Sequence, residues 1–135
     1  MLSDNCFPYR IHMSSTTCIK SVPPEISNAK NKKQDIAIAI CEISKAYDYV
    51  NLHILCNKLN SKLSDICNGI LQGCLLSPFL VNIYTANIHK LADTNTLIFQ
   101  YADDFLFLST GSSINKAVEN LQNKLSHFKK KVNRT

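Results

Sequence analysis

A chain of 135 residues fits one small domain, and 15 basic against 10 acidic side chains give it a net charge of +5. That balance suits a phosphate-rich partner. Nothing approaches the ~20 consecutive apolar residues of a membrane span, and Asp4, Asn5 and Arg10 interrupt any leader-like run at the start, so neither a membrane protein nor a secreted one is expected. The six cysteines contain no Cys-x-x-Cys pair, which leaves a zinc site little support and favours free thiols in a reducing environment.

Residues 1–34 are polar and mixed, with Lys30, Lys32 and Lys33 as a solvated basic turn for which phosphate contact is the lesser reading. From Asp35 to Ile43 the pattern alternates. Ile36, Ile38 and Ile40 share one face and Ala37, Ala39 and Cys41 the other, which predicts a central strand with a small-residue face. Glu42 has the isoleucine parity at the end of that strand, where a carboxylate either enters a cleft or sits on the surface. Residues 44–63 predict a helix with an apolar stripe of Val50, Leu52, Leu55, Leu59 and Leu63. Ser77-Pro78 predicts the start of another, running to about Leu91 with Leu80, Ile83, Tyr84 and Ile88 inward. Residues 97–109 predict a hairpin. Ser112 or Ser113 then caps a last helix whose core stripe is Ile114, Val118, Leu121, Leu125, Phe128 and Val132. Strand, helix, helix, hairpin, helix is an α+β order, with helices on one face of an antiparallel sheet.

The hairpin carries Tyr101-Ala102-Asp103-Asp104 at its tip. Two adjacent carboxylates between Leu97-Ile98-Phe99-Gln100 and Phe105-Leu106-Phe107-Leu108 repel each other, and a cation relieves that repulsion. Carboxylates on a tight turn suit Mg²⁺, a hard cation that takes oxygen ligands. An ordinary turn in which Asp side chains bond their own backbone accounts for the tetrapeptide about as well. Three further segments accompany it. They are Phe7-Pro8-Tyr9-Arg10 with Met13-Ser14-Ser15-Thr16, then Cys41-Glu42-Ile43-Ser44-Lys45-Ala46-Tyr47-Asp48-Tyr49-Val50, and then Ile70 to Tyr84 containing Gln72-Gly73-Cys74-Leu75-Leu76-Ser77-Pro78. In this order the four motifs resemble the reverse transcriptase of non-LTR (LINE-like) retrotransposons.

The resemblance implies RNA-directed DNA synthesis from dNTPs on an RNA template and a DNA primer, inside the cell (nucleus or cytoplasm) and away from membranes. It implies a partial polymerase palm over residues 35–135, a remnant of the fingers over 1–34, and no thumb. It makes Glu42, Asp103 and Asp104 the catalytic carboxylates. These, with the backbone of Ile43, would hold two Mg²⁺ ions, Mn²⁺ being the substitute. Tyr47 would pack under the incoming sugar, with a core aromatic as the plainer reading. Gln72 and Gly73 would lie by the template base and the incoming nucleotide. Arg10 would sit near template or triphosphate, although an exposed surface arginine is nearly as good a reading. Lys129 and Lys130, in a basic run with Lys131 and Arg134, would touch the nucleic-acid backbone or simply suit a helix end.

The chain also departs from the family's pattern. Glu42 stands where an Asp is expected, and the extra methylene moves the carboxylate by up to ~1.5 Å. About a dozen residues separate Lys58-Leu59 from Gln72-Gly73, where the family has a helix and a β-hairpin. The family's helix after the Ser-Thr element would contain Pro23-Pro24 here, which predicts a broken or displaced helix. His12 replaces a usual Gly and Leu71 a usual Pro. The chain thus reads as a truncated, internally deleted polymerase with weak or lost activity, the alternative being a non-catalytic nucleic-acid-binding remnant.

Overall fold

The computed structural model describes residues 14–43, 48, 50–58 and 77–132. Helix α1 (Ser15–Asn31) leads into strand β1 (Asp35–Glu42), helix α2 (Leu52–Lys58) and helix α3 (Ser77–Thr85). A 3₁₀ segment, Ala86–Leu91, continues α3 into strand β2 (Thr96–Tyr101), strand β3 (Asp104–Gly111) and helix α4 (Ile114–Val132). The three strands form one antiparallel sheet in the order β1-β3-β2. The α+β class is as expected, but the central strand is β3. Strand β1 lies at an edge among the described residues.

Helices lie on both faces of the sheet, a second departure from expectation. One face carries Ile98, Phe105 and Phe107, against which Leu121 and Phe128 of α4 and Ile88 of the 3₁₀ segment are buried. Ala37, Ala39 and Cys41 complete that face, so the small-residue side of β1 is the side that admits α4. On the opposite face Phe99 and Leu108 are buried beneath Cys18, Val22 and Ile26 of α1, with Ile36 beside them.

Helix α1 runs unbroken through Pro23 and Pro24, against the expectation of a break. The two missing N–H groups leave carbonyls at Ile19 and Lys20 without their helical donors. Both residues are exposed on the solvent side of the helix, where such oxygens turn to water for a donor. Burial of Val22, Ile26 and Ala29 supplies the stabilisation that propensity withholds. The Ser14 hydroxyl caps the start by accepting from Thr17 N–H at 3.2 Å. At the other end Lys33 adopts φ 53°, Gln34 N–H donates to Ala29 O and Lys33 N–H to Lys30 O. This is a Schellman closure with lysine where glycine is usual.

The later helices are shorter or rotated relative to their sequence signals. Helix α2 begins at Leu52, because Asn51 caps it by accepting from Ile54 N–H at 3.2 Å; Val50, fully buried, precedes the helix. The expected stretches 44–47 and 59–63 lie outside the described residues. Helix α3 tightens after Thr85, whose hydroxyl donates to Val81 O at 2.9 Å. In α4 Ser113 is the cap, accepting from Lys116 N–H at 3.3 Å. The strict four-three stripe drifts around an α-helix by ~20° per heptad. The first turn therefore buries Ala117 and leaves Ile114 52% exposed. Gly111 seats that turn: a Cβ there would lie 2.5 Å from the Ala117 nitrogen. Cys18 and Cys41 are free thiols, and burial raises the pKa of both.

Asp93 closes the link into β2. One carboxylate oxygen accepts from Asn95 N–H and Thr96 N–H, both at 2.9 Å, and the other meets Lys124 of α4 at 2.6 Å. Burial works to raise this carboxyl, yet the Lys124 ammonium and the two N–H groups outweigh it and hold it below the ordinary carboxylate range. Its contribution to stability is present above the unfolded pKa of ~3.9 and is lost as pH falls through the lower folded value.

Two outcomes follow from this packing. Gly111→Ala forces α4 off the end of β3 and lowers stability by about 1–3 kcal/mol, read as a lower midpoint in denaturant titration. Thermal unfolding followed from pH 5 downward shows Tm falling below ~4, and Asp93→Asn flattens that fall; an unchanged profile in the variant would assign the acid sensitivity to other groups.

Candidate active site

The last cross-strand pair of the β2–β3 hairpin is Tyr101 with Asp104, so Ala102 and Asp103 form a two-residue turn. Such turns need positive φ, and Ala102 takes φ 54°. A left-handed conformation costs an L-residue about 1–2 kcal/mol. Its neighbours must therefore hold Ala102 in place. One restraint comes from β1, where Ile43 N–H donates to the Asp103 carbonyl at 3.0 Å.

The same pairing places the acidic side chains. Glu42 lies directly opposite Asp104. Because Ile43 and Asp103 form a hydrogen-bonded pair, Glu42 and Asp104 fall in the closer, non-hydrogen-bonded class, with Cα atoms ~4.5 Å apart. Both have the parity of Ile38 and Ile40, which are 45% and 73% exposed on a part of the sheet that α1 does not cover. Glu42 and Asp104 are themselves exposed, and Asp103 is half-buried in the turn. Among the described residues, no salt bridge or side-chain hydrogen bond engages any of the three carboxylates. Like charges directly opposite destabilise a strand pair, and a cation bound between them reverses that sign. Their oxygen donors match a hard divalent ion. Convergence is nevertheless incomplete: among the described residues no three His, Cys, Asp or Glu side chains are grouped to hold a metal ion.

Behind the turn, on the α4 side of the sheet, lies a buried polar cluster. Gln100 is fully buried, and its side-chain nitrogen donates to the Ala102 carbonyl at 2.9 Å and to the Thr85 hydroxyl at 2.9 Å. A longer contact of 3.4 Å reaches the side-chain oxygen of Asn82, also fully buried. The Gln100 oxygen meets His89 Nε2 at 2.8 Å. With the amide oriented in this way, Nε2 carries the proton and Nδ1 is the bare nitrogen, buried without a partner. Burial lowers the His89 pKa and the bond to Gln100 opposes that shift. The imidazole lies beside the tilted ring of Phe105, whose centroid is 6.2 Å away.

The remaining sequence candidates fall in two groups. Arg10, Tyr47, Gln72 and Gly73 lie outside the described residues. Lys129 and Lys130 are exposed near the end of α4. Phe128, the residue before them, packs on Phe105 and Phe107 with centroids 5.4 and 5.2 Å apart, so this end of the helix lies toward the acidic turn. Lys131 is committed to the fold, its ammonium donating to the Asn87 carbonyl at 2.7 Å. Sequence reasoning missed Gln100, Asn82, Thr85 and His89. The signal was a glutamine at core parity inside an apolar strand, one residue before the motif.

No helix among the described residues is long and apolar enough to cross a membrane. No curated protein and no solved structure matches the chain. The family model described as reverse transcriptase (RNA-dependent DNA polymerase) matches residues 5–135. That match takes in the Glu42 strand, the aspartate hairpin and the helices that pack behind it, and with nearly its whole length covered the chain belongs to the reverse transcriptase family.

Proposed function

We propose that the chain is a reverse transcriptase domain from a non-LTR retrotransposon, internally shortened, whose RNA-directed DNA polymerase activity is weak or lost. The observation that carries this reading is the β1–β3 register, which sets Glu42 opposite Asp104 and beside the Asp103 turn. The order of the four sequence motifs supports the retrotransposon origin.

Glu42, Asp103, Asp104 and the backbone of Ile43 would hold two Mg²⁺ ions, or Mn²⁺ in their place. Bound there, the ions would activate the primer 3′-hydroxyl and stabilise the leaving pyrophosphate. The chain's own residues bind and orient. By the resemblance, Tyr47 would pack under the sugar of the incoming dNTP, and Gln72 and Gly73 would serve the template base and that nucleotide. Arg10, Lys129 and Lys130 contact phosphates of the RNA template, DNA primer or triphosphate. Such chemistry belongs inside the cell, in nucleus or cytoplasm.

Two features argue for weak activity. Glutamate at position 42 displaces a carboxylate by about the length of one bond, and misplacement of ~1 Å at a reacting centre costs on the order of 10²-fold in rate. The short segment between Lys58 and Gln72 also removes palm structure that supports the duplex in the family. Those features, with the exposed Lys129 and Lys130, favour a second reading, a metal-independent nucleic-acid-binding remnant.

Primer extension on an RNA template with Mg²⁺ separates the readings. The expected result is extension at or near background in the wild type, a gain of about 10²-fold in Glu42→Asp, and none in Asp103→Asn. Efficient extension by the wild type overturns the claim of lost activity. No extension by either wild type or Glu42→Asp, with salt-dependent RNA binding that Asp103→Asn leaves unchanged, establishes the binding remnant instead.

A further inference from the structure

The buried cluster behind the turn centres on Gln100, which lies outside the four motifs, yet it touches the turn directly. A fully buried glutamine is costly unless its amide is satisfied. Gln100 is satisfied in a particular way. Its nitrogen donates forward to the Ala102 carbonyl, the one residue of the turn in left-handed conformation, and backward to Thr85 at the end of α3. Its oxygen is held by His89 of the 3₁₀ segment. Thr85 in turn is fixed by its own bond to Val81 O.

We infer that Gln100 is a positioning residue. Its amide, anchored on Thr85, Asn82 and His89, clamps the Ala102 carbonyl and so fixes the carboxylates of Asp103 and Asp104 for binding divalent cations. The inference rests on the polymerase reading for its purpose, but not for its geometry. Gln100 lies on the α4 face of the sheet, and Glu42 with Asp104 has the opposite parity. It therefore works from behind the turn, without touching metal or nucleotide. Orientation by such partners of metal-binding groups changes metal affinity by about 10–100-fold.

The Ile43 amide reports on the clamp, because it donates to the Asp103 carbonyl next along the turn. In the full-length chain, Gln100→Met keeps the side chain's length and removes both polar ends. Amide hydrogen exchange is expected to quicken at Ile43 by about tenfold or more, with Ile98 and Phe107 in the sheet core still protected. Mn²⁺, followed by its paramagnetic effect on water relaxation, is expected to bind about 10–100-fold more weakly. Thr85→Val, which removes one anchor and leaves Gln100 in place, is expected to shift both readouts the same way by less, and it serves if Gln100→Met does not fold. Equal exchange at Ile43 and equal Mn²⁺ affinity in folded variants overturn the inference. Exchange that quickens uniformly at Ile43, Ile98 and Phe107 also overturns it, since that is loss of stability alone. A wild type that binds no Mn²⁺ overturns the cation-binding purpose and favours the metal-independent reading, while the Ile43 exchange still decides whether Gln100 clamps the turn.

Discussion

Strand β3 is hydrogen-bonded on both sides, and its register is the constraint on which the rest of the molecule depends. Side chains alternate with a period of two along a strand, so a slip of one residue would exchange the two faces. Phe105 and Phe107 would then leave the α4 side, and Leu106 and Leu108 would replace them. The two phenylalanines lock the register because Phe128 packs on both. With that face fixed, Asp104 is directed to the other side, and pairing with β1 brings Glu42 opposite it. The apolar packing of one face thus determines the acidic chemistry of the other.

The turn follows the same logic on a smaller scale. Two residues must reverse the chain between Tyr101 and Asp104, and a left-handed alanine accomplishes this at an energetic cost. Hydrogen bonds from the Gln100 side chain to Ala102 and from Ile43 to Asp103 restrain the turn from both sides. A buried amide is an effective restraint because the surrounding low dielectric strengthens its bonds and penalises their loss. His89 shows the other side of that bargain. One ring nitrogen is bonded to Gln100 and the other is buried bare, so protonation of the ring is unfavourable.

Much of this arrangement was legible in the residues. The hairpin around Tyr101-Ala102-Asp103-Asp104, the helix after Ser77-Pro78 and the cap at Ser113 all follow from local signals that need no tertiary context. The alternation of β1 also predicts correctly that Glu42 shares a face with the isoleucines. Its place in the sheet was not legible, because alternation fixes faces and says nothing of neighbours. Pro23-Pro24 misled for a related reason. Local propensity argues for a break, whereas Cys18, Val22 and Ile26 pack against the sheet and keep the helix continuous. The Gln100 cluster escaped because its members come from three elements, Asn82 and Thr85 from α3, His89 from the 3₁₀ segment and Gln100 from β2, and converge only on folding.

The isoleucine face of β1 shows how sheet and chemistry constrain each other. Ile36 is covered by α1, while Ile38 and Ile40 grow progressively more exposed toward Glu42. Covering Ile40 with a helix would also wall in the carboxylates, whose charges would then lose their hydration. Leaving it open keeps Glu42 and Asp104 in water, at the cost of apolar surface exposed beside them. A flat partner that presents apolar rings along with anionic groups would cover the isoleucines, but it would need intervening cations to tolerate the carboxylates. Nucleic acid bound with divalent ions has that combination of properties. Among the described residues that end of the sheet carries no helix, which is the arrangement such a partner would need.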